Sequence, residues 1–259
     1  MNDMIPLLTE LTGMGQDMIW VGFLVFLRVG AVMALLPAFG EQVVPQRVRL
    51  VVGLAFTAVV APAVADRVMP LAGQLALPLA TEVTAGLILG IGLRLFIMAL
   101  QMAGTIAAQA TSLAQLFAGA GPEPQPAIGN LLTVAGLALA VMAGLHVRAA
   151  ELMILSYDVL PPGRMPGSED LAQWGLLQVT SAFSLAFSLA APFVLASLIY
   201  NVALGVINRA MPQLMVAFVG APALTLGGLA LLAVVAPLAL AVWMQALGAF
   251  LDAPFANAP

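Results

Sequence analysis

Apolar runs of membrane-crossing length, separated by short clusters of proline, glycine and charge, set the pattern of this chain. From Met18 to Leu36 the sequence is almost continuously apolar, about enough at 1.5 Å per residue to cross a hydrocarbon core of roughly 30 Å. A shorter run follows from Leu50 to Val64, ending around Pro62, and reads as either a thin span or a re-entrant piece buried by neighbours. Further runs cover Thr84 to Leu100, Gln101 to Phe117 and Leu131 to Leu145. The last two, Trp174 to Ile207 and Leu214 to Leu251, exceed one straight crossing, since more than about thirty residues of helix extend beyond 45 Å. Pro192 is expected to divide the first, and Gly220, Pro222, Gly227, Gly228 and Pro237 the second. Ser168, Glu169 and Asp170 read as a helix start, and Asp252 to Pro259 as a poorly ordered tail. No linker, composition shift or repeat separates two folding units, so one domain over residues 1–259 is expected. The fold class is all-α: a polytopic, membrane-associated bundle of kinked and broken helices.

Composition sharpens that picture. Apolar residues make up 63% of the chain and charged ones 8%, against roughly 25% charged in a soluble domain; mean hydropathy is +1.09. The net charge of -4, with no run of arginines, argues against nucleic acid as a partner. Cysteine is absent, which excludes disulfides and thiolate metal sites. The amino terminus carries Asp3, Glu10 and Asp17 without a basic leader, and does not read as a cleaved signal peptide.

Four features carry candidate chemistry. Arg28 and Arg94 interrupt apolar runs, where a fixed charge needs a partner, a cavity or a route to the interface; burial against another helix or subunit is the preferred reading. Gln101, Thr105, Gln109, Ser112 and Gln115 recur at steps of four, four, three and three, along one side of a helix. Such a face must meet water in a channel or polar groups on another helix. Next, Phe117-Ala-Gly119-Ala-Gly121-Pro122-Glu123-Pro124-Gln125-Pro126 stops any helix, and by itself is a connecting loop. Finally, Asn208, Arg209, Pro212 and Gln213, with Gly220 and Pro222 beyond them, place a charge and backbone breakers between two apolar runs, as a membrane-edge turn with an anchoring arginine would.

Other chemistry finds little support. His146, placed at the end of the Leu131 run beside Arg148 and Glu151, reads as an interfacial hydrogen-bonding residue; with no second histidine and no cysteine, no metal site is expected. The carboxylates, Glu82 among them, fall in loops or at segment ends, without a nucleophile-and-base set or a phosphate-cradling loop. A non-enzyme without cofactors is therefore expected.

The string Asn208-Arg209-Ala210-Met211-Pro212-Gln213, followed by Phe218-Val219-Gly220-Ala221-Pro222, resembles the signature of the FliR family, export-gate subunits of flagellar type III secretion. In that family an Arg-Ala-x-Pro-Gln turn precedes a Phe-x-x-Gly-x-Pro helix. Pro37-Ala38-Phe39-Gly40 with Pro45 and Arg49, the glutamine helix with its breaker, and Gly144-Leu145-His146 match further family motifs in the same order. Glu123-Pro124 stands where the family usually has Asp-Pro.

The resemblance implies a core subunit of a helical, hetero-oligomeric gate in the bacterial inner membrane, at the flagellar basal body. Its partners would be FliP-like, FliQ-like and FlhB-like subunits, membrane lipid, and unfolded secretion substrates in transit. It implies further that the Gln101 to Gln115 face lines the conduit, and that Phe117, Gly119, Gly121, Pro122, Glu123 and Pro124 narrow it as a plug. Arg28, Arg94, Asn208, Arg209, Pro212, Gln213, Gly220 and Pro222 would serve subunit packing. The alternatives are a stand-alone small-solute transporter or anion channel, and the equivalent subunit of a virulence injectisome.

Overall fold

The computed structural model describes residues 4–41, 43–68, 76–111, 127–211 and 216–256, with side chains described over 15–41, 43–68, 76–110, 127–211 and 226–256. Among these residues there are seven helices and no strand: α1 Met4–Leu35, α2 Gln46–Val68, α3 Ala76–Thr111, α4 Ala127–Met142, α5 Leu145–Val159, α6 Ser168–Ala210 and α7 Val216–Asp252. Five stretches are long and apolar enough to cross a membrane: Gly15–Leu35, Gln46–Val68, Ala76–Ala110, Ser168–Ala210 and Leu226–Asp252. The bent pair α4 and α5 would make a sixth.

Several boundaries differ from the sequence expectation. The runs expected at Thr84–Leu100 and Gln101–Phe117 belong to one continuous 36-residue helix, α3, which begins at Ala76. Pro78 lies in its first turn, where a missing N–H costs no helical bond. α2 extends over 23 residues with Pro62 inside it, so it is a full-length candidate span rather than a short piece. Neither Pro192 nor the glycines and prolines of α7 divide their helices: α6 runs unbroken for 43 residues and α7 for 37. Neighbouring packing and local hydroxyls re-satisfy a carbonyl freed by proline in such settings. The expected helix start at Ser168 is where α6 begins, with Glu169 and Asp170 in its first turn.

The chain divides into two compact units. The first comprises Met1–Arg94, Val141–Leu176 and Ala249–Pro259. Here α1 and α3 meet through small residues. A methyl group at Gly86 would lie 2.7 Å from the Ala31 Cβ and collide with the Arg28 carbonyl, and one at Gly90 would lie 3.0 Å from Leu35. The Gly86 and Gly90 spacing thus marks a true close approach. Leu24, Val25, Val32, Leu36, Leu89 and Leu93 are fully buried around this seam. After α1, Ala38 takes a left-handed φ of 69°, and the Gly40 N–H donates 2.7 Å to the Leu36 carbonyl. A side chain at Gly40 would press into the Ala34 carbonyl at 2.6 Å, which explains the glycine of the Pro-Ala-Phe-Gly turn.

Of the tail expected to be poorly ordered, Asp252 to Pro259, the part up to residue 256 is described and is held: Trp174 Nε1 donates 2.9 Å to the Pro254 carbonyl, and Phe255 packs on the Trp174 ring at 5.7 Å between centroids. An indole N–H and a ring face add to the backbone bonds of this segment, Ala253 N–H to the Ala249 carbonyl and Ala256 N–H to the Ala253 carbonyl.

The second unit comprises Leu95–Ala140 and Leu177–Gly248. α3 and α4 touch backbone to backbone at Gly104 and Gly129, and Gly136 leaves space filled by the Leu100 side chain. Trp243 of α7 is fully buried and donates Nε1 to the Phe96 carbonyl at 2.8 Å. α4 ends at Met142, and Gly144 takes a φ of 82° that side-chain-bearing residues rarely adopt. His146 therefore opens α5, where it is exposed, rather than ending α4.

The glycine seam between α1 and α3 gives a direct test. Gly86→Ala is expected to destabilise the detergent-solubilised protein by about 1–3 kcal/mol through overpacking. Gly22→Ala, which meets nothing within 4 Å, should be neutral or stabilising by up to ~1 kcal/mol. Thermal unfolding of the two variants side by side checks this, and equal shifts would remove the seam from the account.

Candidate functional site

Arg28 lies well inside the α1 span and is completely buried by its own chain. Its guanidinium is met from α3 and α5. Nε and Nη2 donate to the two Glu82 carboxylate oxygens at 2.9 and 2.8 Å, the bidentate geometry in which arginine and carboxylate fit best. Nη1 donates to Ser156 Oγ at 3.0 Å, and Nη2 also donates to the Leu160 carbonyl at 2.8 Å. The Tyr157 ring lies 3.6 Å from the guanidinium carbon, and its hydroxyl donates 2.8 Å to Glu82. Ser156 in turn donates 2.6 Å to the Met153 carbonyl. Each polar group in this cluster has a partner, as low-dielectric burial demands.

This placement corrects two expectations. Arg28, grouped above with the subunit-packing residues, is buried against helices of its own chain. Glu82 is not at a segment end; it lies two turns into α3 and is fully buried. The sequence reading missed Glu82 because it began the helix at Thr84, and Ser156 and Tyr157 because nothing local links α5 to Arg28. Had the proline at position 78 been accepted in a first helical turn, Glu82 would have stood out as an acidic residue inside a span, in need of a cation.

Arg94, also expected at a subunit contact, is partly exposed and paired in the chain: its Nη1 meets Glu41 Oε1 at 2.5 Å, with the two side chains 29% and 22% exposed. Arg49 Nη2 donates 2.9 Å to the Glu41 carbonyl. The Pro37 to Arg49 turn is thereby tied to α3. On the outside of α5, Arg67 pairs with Asp158 at 2.9 Å, and Arg148 pairs with Asp252. These exposed pairs add little stability.

Gln101, Thr105 and Gln109 lie along one side of the second half of α3. Gln101 and Thr105 are half-buried and Gln109 is exposed. The Thr105 hydroxyl donates to the Gln101 carbonyl at 2.8 Å, so its polarity is spent on its own helix. Among the described residues neither glutamine amide has a hydrogen-bond partner. Asn208 and Arg209 are exposed in the last turn of α6, where a cation complements the carbonyl end of the helix. Gly220 and Pro222 fall within the first turns of α7, whose backbone alone is described there. Ser112, Gln115, Phe117, Gly119, Gly121, Pro122, Glu123, Pro124, Pro212 and Gln213 lie outside the described residues.

Helices of this length and apolarity, with a fully paired arginine inside one of them, define a polytopic helical membrane protein. Comparison with known proteins narrows the class: residues 19–250 match the family described as bacterial export proteins, family 1. The chain belongs to that family. It is 35% identical over 220 residues to the flagellar biosynthetic protein FliR of Caulobacter vibrioides, covering 83% of this chain and 88% of the relative. The FliR of Escherichia coli K12 is 30% identical over 219 residues, 82% of each chain. That of Bacillus subtilis is 28% identical over 207 residues, covering 77% and 79%.

The buried cluster yields a second test. Removing one partner strands the other charge in a low-dielectric core, so Arg28→Met or Glu82→Leu alone should cost about 3–5 kcal/mol. The double variant should recover most of that loss, because an apolar pair of similar volume avoids both desolvation terms. Unfolding titrations in mixed micelles measure the coupling; losses that simply add would show that the two residues act independently.

Proposed function

We propose that the chain is a core, non-catalytic subunit of the flagellar type III protein export gate. It assembles with FliP-like, FliQ-like and FlhB-like subunits in the bacterial inner membrane at the flagellar basal body. In this reading unfolded flagellar subunits pass along a conduit lined in part by Gln101, Thr105, Gln109, Ser112 and Gln115. The breaker Phe117 to Pro126 narrows that conduit when no substrate is present. Family membership supports the assignment, and the observation that carries the conduit is the pair of glutamine amides on one side of α3 that have no partner among the described residues. Such groups are costly against lipid and inexpensive against water or an extended polypeptide.

The length of α6 supports assembly with other proteins. At 43 residues it extends about 64 Å, roughly twice a hydrocarbon core. Exposed apolar side chains occur along its whole course, from Leu176 through Phe187 and Ile199 to Ile207. A bilayer covers about half of an upright helix of that length, and the remainder calls for protein. The anion-channel alternative loses its main support, since both in-span arginines are neutralised by carboxylates of the same chain.

Deleting residues 119–125 is expected to raise ion leakage through the assembled gate while assembly persists, because a narrow, displaceable constriction is what separates passage of an extended chain from passage of ions. Conductance measurements on cells or reconstituted complexes read this, and unchanged conductance with normal secretion would refute the plug. Arg209→Ala should lower recovery of the complex in co-purification, in keeping with a packing role for the exposed end of α6. Full assembly with an isolated export defect would instead give Arg209 a direct part in transport.

A further inference from the structure

Within the first unit a half-open cavity of about 510 Å³ lies between α3, the end of α5 and the start of α6. Its floor is apolar, with Ile88 of α3, Leu160 and Trp174 all largely buried, and Phe255 closes one side. Met165, half exposed, stands among the lining residues and extends the apolar wall outward. Two lining residues are charged, Arg164 and Asp170. Both are exposed, and among the described residues neither side chain has an ion-pair partner. Asp170 lies back against Gly167, where a methyl group would come within 2.6 Å of its Oδ2, so the bare glycine leaves the carboxylate its place at the rim.

These features select a ligand by charge and shape. The volume suits a drug-sized body or the head and first carbons of a lipid. The wall includes the first two turns of α6, one of the helices apolar enough to cross a membrane. One guanidinium and one carboxylate give a lining of zero net charge. An anionic head would meet Asp170 and the adjacent, exposed Glu169 with like charge. A head bearing both a phosphate and an amine satisfies both sides: guanidinium forks fit phosphate, and a primary ammonium donates to carboxylate.

We propose that this cavity binds one zwitterionic phospholipid with a primary amine headgroup, of the phosphatidylethanolamine type. Its phosphate rests on Arg164, its ammonium on Asp170, and the start of an acyl chain lies along Met165, Ile88 and Trp174. The site is independent of the conduit and of the export reading. It rests only on the chain being a membrane protein.

Native mass spectrometry of the full chain, released from micelles containing equal amounts of phosphatidylethanolamine, phosphatidylcholine and phosphatidylglycerol, tests the proposal. The expected order of retained lipid is ethanolamine, then choline, whose quaternary amine cannot donate a hydrogen bond, then glycerol. Arg164→Gln should lower retention of all three. Asp170→Asn should shift the ethanolamine-to-glycerol ratio toward the anionic lipid by about fivefold, the effect of roughly 1 kcal/mol for a partly exposed charge contact. Arg47→Gln, an exposed arginine in the first turn of α2, should leave the ratio unchanged; Arg164→Lys, which keeps the charge, should retain the ethanolamine preference. The same ratio in the wild type and both site variants, or a wild-type preference for phosphatidylglycerol, would overturn the proposal.

Discussion

A guanidinium enclosed in an apolar helix cannot be left alone, and the first unit is arranged around that constraint. Arg28 cannot lose its charge, so in a dry interior it needs a carboxylate close by and hydrogen-bond acceptors for its remaining N–H groups. Glu82, Ser156 and the Leu160 carbonyl supply these from two other helices, and Tyr157 covers the guanidinium face. Three helices are thereby fixed in rotation and in depth at once. An apolar seam alone tolerates sliding by a turn, because one leucine serves nearly as well as another. A bidentate ion pair does not. Such a pair contributes less to net stability than its Coulomb energy suggests, and its effect here is on register.

The glycine seam and the ion pair depend on each other. Gly86 lets α3 lie against the carbonyl of Arg28 itself, which brings Glu82, one turn earlier on the same helix, within reach of the guanidinium. The second unit has no comparable charge among its described residues. It relies on close backbone contact at Gly104 and Gly129 and on the buried Trp243, whose single N–H is satisfied by a carbonyl of α3. That leaves the polar stripe of α3 without an internal function. Thr105 is satisfied by its own helix, while Gln101 and Gln109 have no amide partner among the described residues.

Long, unbroken helices fit a subunit built for assembly. α3, α6 and α7 each exceed the thickness of a hydrocarbon core, and the apolar side chains of α6 stay exposed over its full length. The bilayer does not account for that surface, and neighbouring subunits of an export gate would.

Local chemistry was readable from the residues alone. Run length and the scarcity of charge established a polytopic helical protein, Ser168-Glu169-Asp170 marked the start of α6, and the ordered motifs from Pro37 to Pro222 pointed to the family that the comparisons then showed. These properties reside in neighbouring residues, so no knowledge of the fold was needed. Helix continuity was not readable, because proline and glycine break an isolated helix but are tolerated inside long membrane-type helices, as at Pro62 and Pro192. Nor was the pairing of Arg28 with Glu82, which stand 54 positions apart. The sequence showed that Arg28 needed a partner; only the packing of α1 against α3 and α5 determined which residue it would be. An electrostatic requirement belongs to a single residue, whereas its solution depends on which helices lie side by side.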